Sequence, residues 1–254
     1  MKKIKLSIIM VVKNGLPFIK NAINSYNNQK YNNKELIIVC SPSSDKTESY
    51  LLNLKKNYKN KYNIFFDKKS KNKFGSLNKG ISLSKGDYVG ILHSDDIFFS
   101  TNVLNHVYKN IKKTNCDFLY GNCVFINKKN TKVVREWISG SFNKSKLKYG
   151  WMPPHTTTFI KRKLLKKNKY NLSYRISGDY EFLLRILSKN YKVQYINKII
   201  SKMRVGGDST NLKNIFYKFN EDYKIANKYF RIPLLTIITK IIQKINQFKI
   251  LNLN

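Results

Sequence analysis

The chain is poor in acid. Its 254 residues include 14 Asp and Glu against 49 Lys and Arg, a formal net charge of +35. Such an imbalance points to an anionic partner: nucleic acid, a membrane surface or a phosphorylated ligand. Most of the positive charge is lysine spread along the whole length, which also suits solvated faces on which lysine and asparagine interchange. Cysteine is scarce. Cys40, Cys116 and Cys123 show no metal-ligand spacing, and an odd number makes no disulfide framework, so a reducing compartment is expected. Long apolar runs are missing as well. None reaches the ~20 residues needed to cross a bilayer. In "MKKIKLSIIMVVKNG", Asn14 and Gly15 interrupt where a signal peptide would carry its cleavage region, so a first core strand is expected. The protein is therefore predicted to be soluble or peripheral. Three signatures are also missing: a G-x-G-x-x-G loop after the first strand, a G-x-x-x-x-G-K-[ST] loop and H-E-x-x-H, which disfavours a dinucleotide fold, P-loop hydrolysis and zincin chemistry. There is no nucleic-acid module, and the aromatics sit in apolar stripes instead of a stacking platform.

What is present alternates strand and helix. "KLSIIMVV" and "ELIIVC" are continuous apolar runs of the kind buried on both faces of a parallel sheet. Residues 17–29 carry a helical stripe, as do Leu51, Leu54 and Tyr58. "YNIFF", "DYVGILH" and "DFLYGNCVFI" read as further strands, with a short helix at "FGSLNKGISLSKG" and another over 102–113. These units predict an α/β fold whose ligand loops lie at the carboxyl ends of the strands. The second half is less regular. "PPHTTTFIKRKLL" reads as a loop and short strand before a helix. "SGDYEFLLRILSKN" is a helix with Ser177 as a candidate cap, and residues 212–228 form a polar helix. The last segment, "PLLTIITKIIQKINQFKI", places Leu234, Leu235, Ile238, Ile241, Ile242, Ile245 and Phe248 along one face with lysines on the other. That pattern fits an interfacial membrane helix, and equally a helix packed across the sheet or in a homodimer.

The chemistry concentrates at "HSDD". Asp95 and Asp96 follow the fourth strand directly, and adjacent carboxylates are costly unless a cation or donors satisfy them. Hard oxygen ligands suit Mg²⁺ or Mn²⁺, which would in turn hold phosphates. The competing reading makes one Asp a helix cap and leaves the other in water. Asp179 and Glu181 open a helix, where an acid usually serves the helix dipole. Asp179 is a base candidate only if the fold brings it to the carboxylate pair. Spacing alone thus leads to a metal and phosphate enzyme on an α/β sheet.

The series "KLSIIMVVKNG", "SLNKGISLSKGDYVGILHSDD", "PPHTTTFIKR", "YRISGDYEFLLRI" and "GGDST" resembles glycosyltransferase family 2 over about residues 4–230. The likeness is greatest to the bacterial members that build lipopolysaccharide, capsule and related glycans. It implies the glycosyltransferase-A fold, a mostly parallel central sheet flanked by helices, as a catalytic domain at 1–230 with an amphipathic C-terminal helix at 231–254. It also implies inverting, metal-dependent transfer of a sugar from a nucleoside diphosphate donor, a UDP-sugar above all, to a lipid-linked or glycan acceptor at the cytoplasmic membrane face. By the same resemblance Val11, Lys13 and Glu35 fall at the nucleotide pocket. Asp96 is the metal ligand, and Asp95 sits beside it on the ribose or sugar side. Asp179 is the general base, Arg185 a basic residue further along its helix, and His155 lies near donor and acceptor. The family often has acids at the end of the second strand; here Cys40 and Ser41 stand there, and Ser70 and Gly75 replace common aspartates, which leaves the nucleobase open. The alternative, a sugar-phosphate nucleotidyltransferase, would want a Gly-rich loop that "VVKNGLP" does not offer.

Overall fold

The structure, a computed structural model, describes residues 3–58, 61–127, 129, 132–206 and 214–249. Four parallel strands form one half of the sheet: β1 (Leu6–Val12), β2 (Lys34–Cys40), β3 (Asn63–Phe66) and β4 (Tyr88–Ile91), in the order β3-β2-β1-β4. All seven residues of β1 are buried, because helices cover both faces of the sheet. Alternation divides them: Ile8, Met10 and Val12 join one apolar cluster, Ile9 and Val11 the other. The first cluster is closed by α1 (Ile19–Asn27), α2 (Thr47–Asn57) and α4 (Val103–Thr114). The second is closed by α3 (Lys73–Leu83), α5 (Arg162–Lys167) and α6 (Gly178–Leu187).

The sheet then changes direction. β8 (Phe159–Lys161) runs antiparallel to β4 and to β6 (Phe118–Ile126), and β6 pairs in parallel with β9 (Val193–Arg204). β7 (Val133–Trp137) folds back on β6, and the two-residue β5 (Ile97–Phe98) pairs with β9. The expected mostly parallel α/β sheet is therefore present. Three of its strands were not expected: β5, β7 and the twelve-residue β9. β9 has the burial pattern of a strand covered on part of one face, broken by Lys198 and Lys202, so its sequence shows neither a long apolar run nor clean alternation.

Two helices complete the described chain, α7 (Ile215–Tyr229) and α8 (Pro233–Lys249). In the motif "GGDST", residues 207–210 lie outside the described residues, as does the side chain of Phe248. The three cysteines are free and buried. No helix among the described residues is long and apolar enough to cross a membrane.

Candidate active site

The register brings the strand ends together. Val11 pairs with Val39, Val12 with Cys40 and Cys40 with Phe66, so β1, β2 and β3 end level. β4 pairs Ile91 with Ile9, which sets His93 to Asp96 beside the end of β1. The loop after β1 turns through Asn14, at φ +52°, a left-handed conformation that asparagine tolerates better than most residues. Its side chain accepts from Ser44 N–H at 2.8 Å, and Gly15 N–H donates to Thr47 Oγ1 at 2.8 Å, so the first two strand-end loops are fastened to each other. Val11 is buried in the second apolar cluster and Lys13, two residues on, is exposed.

The two aspartates differ. Asp96 is buried and its Oδ1 accepts from Arg204 N–H at 3.0 Å. The Arg204 guanidinium donates to the Asp95 carbonyl at 3.2 Å and lies over the Phe18 ring. The end of β9 thus holds the carboxylate loop. Burial, and then the neighbouring Asp95, push the Asp96 carboxyl well above the ordinary carboxylate range against the pull of Arg204. Among the described residues there is no group of three His, Cys, Asp or Glu able to hold a metal ion. Asp95 and Asp96 are the pair that could serve one.

α6 delivers Asp179. Gly178 precedes it because the helix start lies against α3: a Cβ there would come within 2.6 Å of the Phe74 ring. Asp179 is partly exposed and its Oδ1 accepts from Tyr180 N–H at 2.9 Å. Ser177, the expected cap, makes no capping hydrogen bond. Glu221 of α7 instead holds the segment just ahead of the helix. Its buried carboxylate accepts from the backbone N–H of Arg175 (2.6 Å), Ile176 (2.9 Å) and Ser177 (2.7 Å), and so fixes the segment that leads into Asp179.

His155 lies beside His93. It opens a short 3-10 turn at His155–Thr157 before β8, is buried, and its Nε2 is 2.6 Å from the Tyr170 hydroxyl. Burial holds its imidazole down to about 4, against the upward pull of Asp179, with His93 and Lys73 adding to the depression. Burial also lowers His93, whose ring centroid is 6.0 Å from that of His155. Asp179 acts electrostatically on His93, His155 and Tyr170 alike, so the two halves of the expected motif series do converge.

His155 gives a measurable pH dependence. The unfolded chain takes up its proton near the ordinary 6.5, the folded chain only near 4, so stability is lost as pH falls between those values. A shift of that size corresponds to about 3 kcal/mol. Denaturant unfolding near neutral pH and near pH 4 is expected to show His155→Asn losing less stability over this range than the wild type by about that amount, the contribution of His93 being common to both.

Three expected site residues stand elsewhere. Glu35 lies at the start of β2, at the opposite end of that strand from Cys40. Its carboxylate is occupied by Lys5 Nζ (2.7 Å), Ser7 Oγ (2.5 Å), and the backbone N–H of Lys85 and Gly86. Cys40 turns its thiol into the α1 and α2 cluster, where burial raises it to about 11. Only Ser41 faces the other way, its Oγ 3.2 Å from Ser76 Oγ. Arg185 is held by Glu181 at 2.8 Å and 3.2 Å and donates to the Lys169 carbonyl at 2.7 Å. It fastens α6 to the segment that carries Tyr170. Conversely, Lys73, His93, Tyr170 and Arg204 belong to the region and were not singled out from sequence. His93 alone had a signal, two residues ahead of the Asp pair.

A sequence profile of glycosyl transferase family 2 matches residues 7–183, the span from β1 through Asp179. The chain belongs to glycosyltransferase family 2. This glycosyltransferase moves a sugar from a nucleoside diphosphate donor to an acceptor. It is 27% identical over 224 residues to an uncharacterized glycosyltransferase of Methanocaldococcus jannaschii, covering 85% of this chain and 76% of the relative. It is also 27% identical to the Escherichia coli UDP-Glc:alpha-D-GlcNAc-diphosphoundecaprenol beta-1,3-glucosyltransferase WfgD, over 91% of this chain and 89% of that one. Among solved structures, the Pyrobaculum calidifontis mannosyltransferase PcManGT in complex with GDP-Man and Mn²⁺ superposes with a TM-score of 0.70 at 16% identity, over 94% of this chain and 69% of that one. Staphylococcus aureus TarS with UDP-GlcNAc gives 0.65 at 18% identity, with this chain spanning 65% of the TarS fragment. Both likenesses confirm the glycosyltransferase-A fold.

Proposed function

We propose that this glycosyltransferase inverts the anomeric carbon of a uridine diphosphate sugar and extends a bacterial surface glycan carried on a lipid diphosphate. The observation that carries the reading is the convergence of Asp95, Asp96 and Asp179 at one end of the sheet of a strongly basic chain. The carboxylate pair is suited to a divalent metal. Asp96 is a buried carboxyl whose ionisation is opposed by burial and by Asp95, and a divalent cation relieves both. Asp95 and Asp96 would hold Mn²⁺ or Mg²⁺, hard cations that take oxygen donors. Bound there, the cation supplies charge neutralisation for the leaving diphosphate. Asp179 accepts the proton of the acceptor hydroxyl as that oxygen attacks the anomeric carbon. His155, neutral at physiological pH, and the Tyr170 hydroxyl line the approach of the acceptor without adding charge. Lys13 and Lys73 are the nearby cations that offset donor phosphate. The undecaprenol-linked acceptor named for WfgD supports the lipid carrier.

The test is a thermal-shift series with nucleoside diphosphates and Mn²⁺. UDP with Mn²⁺ is expected to raise Tm, and Asp96→Ala to abolish the increment that depends on the metal. A rise with GDP but not UDP would reject the uridine donor, and an unaltered metal response in Asp96→Ala would reject the assigned ligand.

A further inference from the structure

α8 is mounted with its polar side inward. Lys240 reaches Asp222 of α7 at 3.0 Å and stands 3.4 Å from the Tyr180 ring centroid of α6. Thr236 Oγ1 donates to the Lys148 carbonyl at 2.7 Å, and Gln243 Nε2 to the Tyr149 carbonyl at 2.7 Å. Arg135 of β7 donates to Gln247 Oε1 at 2.8 Å. Gly150, at φ +72°, permits the approach: a Cβ there would lie 2.7 Å from the Thr236 carbonyl oxygen. With the polar side so fixed, the apolar stripe faces out. Leu234, Leu235, Ile238, Ile241, Ile242 and Ile245 are 41–54% exposed, whereas Ile237, on the inner side, is buried. This arrangement removes the reading in which the stripe packs across the sheet. An exposed apolar strip of this length marks an interaction surface.

The charge selects its occupant. The acidic residues of α7 and α8 are Glu221 and Asp222, and both are buried and hydrogen-bonded. Exposed Arg231 and Lys244 lie just ahead of and on α8, exposed Lys224 and Lys228 lie on the neighbouring α7, and α8 itself carries no acid. A second copy of this chain would bring two such surfaces, each on a chain of +35, into repulsive contact. An anionic bilayer complements both features: acyl chains take the isoleucines and headgroups take the lysines. We propose that the outer face of α8 is a docking surface for an anionic lipid bilayer, with the helix lying in the interface plane. The inner ties to Tyr180 and Asp222 then place the α6 start, and Asp179 with it, at a fixed relation to the membrane.

The test is co-sedimentation of the full chain with phosphatidylcholine vesicles, with and without phosphatidylglycerol, and no donor present, so that its outcome is independent of the transfer chemistry. Binding is expected only with phosphatidylglycerol. Ile238→Glu with Ile242→Glu is expected to weaken it roughly ten-fold or more, because two charges enter the apolar face. Both positions are exposed, so an unchanged Tm verifies the fold. Binding that the double variant leaves intact would reduce the effect to unspecific lysine charge and overturn the proposal. Equal binding to neutral vesicles would remove its electrostatic half. A dimer broken by the same variant, without vesicle binding, would assign the face to a second copy instead.

Discussion

Asp179→Asn is expected to lower kcat on the order of 10³-fold, within the range for loss of a general base, while donor affinity stays unchanged. Asparagine keeps the shape and can still accept from Tyr180 N–H through its Oδ1, so the helix start is preserved and only the proton acceptor is lost. The comparison separates two functions of the site. In the proposed mechanism the donor is held at the ends of β1, β2 and β4, whereas Asp179, from α6, meets the acceptor. Product formation from the donor sugar reads the first effect, and thermal shift with UDP and Mn²⁺ reads the second. Wild-type turnover by the variant would remove Asp179 from the mechanism.

The largest effect on stability is expected at Glu221, far from Asp179 in sequence. Glu221→Ala leaves three backbone N–H groups without their acceptor, two of them wholly buried. Each unsatisfied buried donor costs about 1–3 kcal/mol. With partial rescue by water, a loss of roughly 3–5 kcal/mol is expected, or a fall in Tm of about 10 °C for a chain of this size. Glu221→Gln retains one acceptor oxygen and should lose less. Because these donors precede Asp179, the Ala variant should also lose kcat below its melting range, and the Gln variant should restore part of it. Equal stability of wild type and Glu221→Ala, measured by denaturant unfolding, would show that the 175–177 segment is held by other contacts.

Much of the framework was legible in the chain itself. β1 and β2 are apolar without interruption, and only a sheet covered on both faces buries such runs. The helical stripes between them then impose parallel crossovers. "HSDD" and "GDYEFLLR" announced a carboxylate pair and an acid at a helix start. The reading at Glu35 went astray because a buried acid in a strand looks the same at either end of it. The register decides which end faces the ligand, and at the other end Lys5 and Ser7 were waiting for its charge. Arg185 is engaged locally: helical spacing puts it on the face of Glu181, whose carboxylate four residues away takes its guanidinium bidentately.

The sequence by itself determined the alternating α/β core, the carboxylate pair after the fourth strand and the amphipathic last helix, since each rests on local periodicity or on neighbours in the chain. Only the tertiary structure decided that Asp179, His155 and the Asp pair share one end of the sheet, that β9 holds Asp96 through Arg204, and that α8 turns its isoleucines outward. Those outcomes depend on partners 18 to 108 residues apart. Which face of α8 is covered was settled by Lys240, whose charge finds Asp222 and the Tyr180 ring only once α6, α7 and α8 have met.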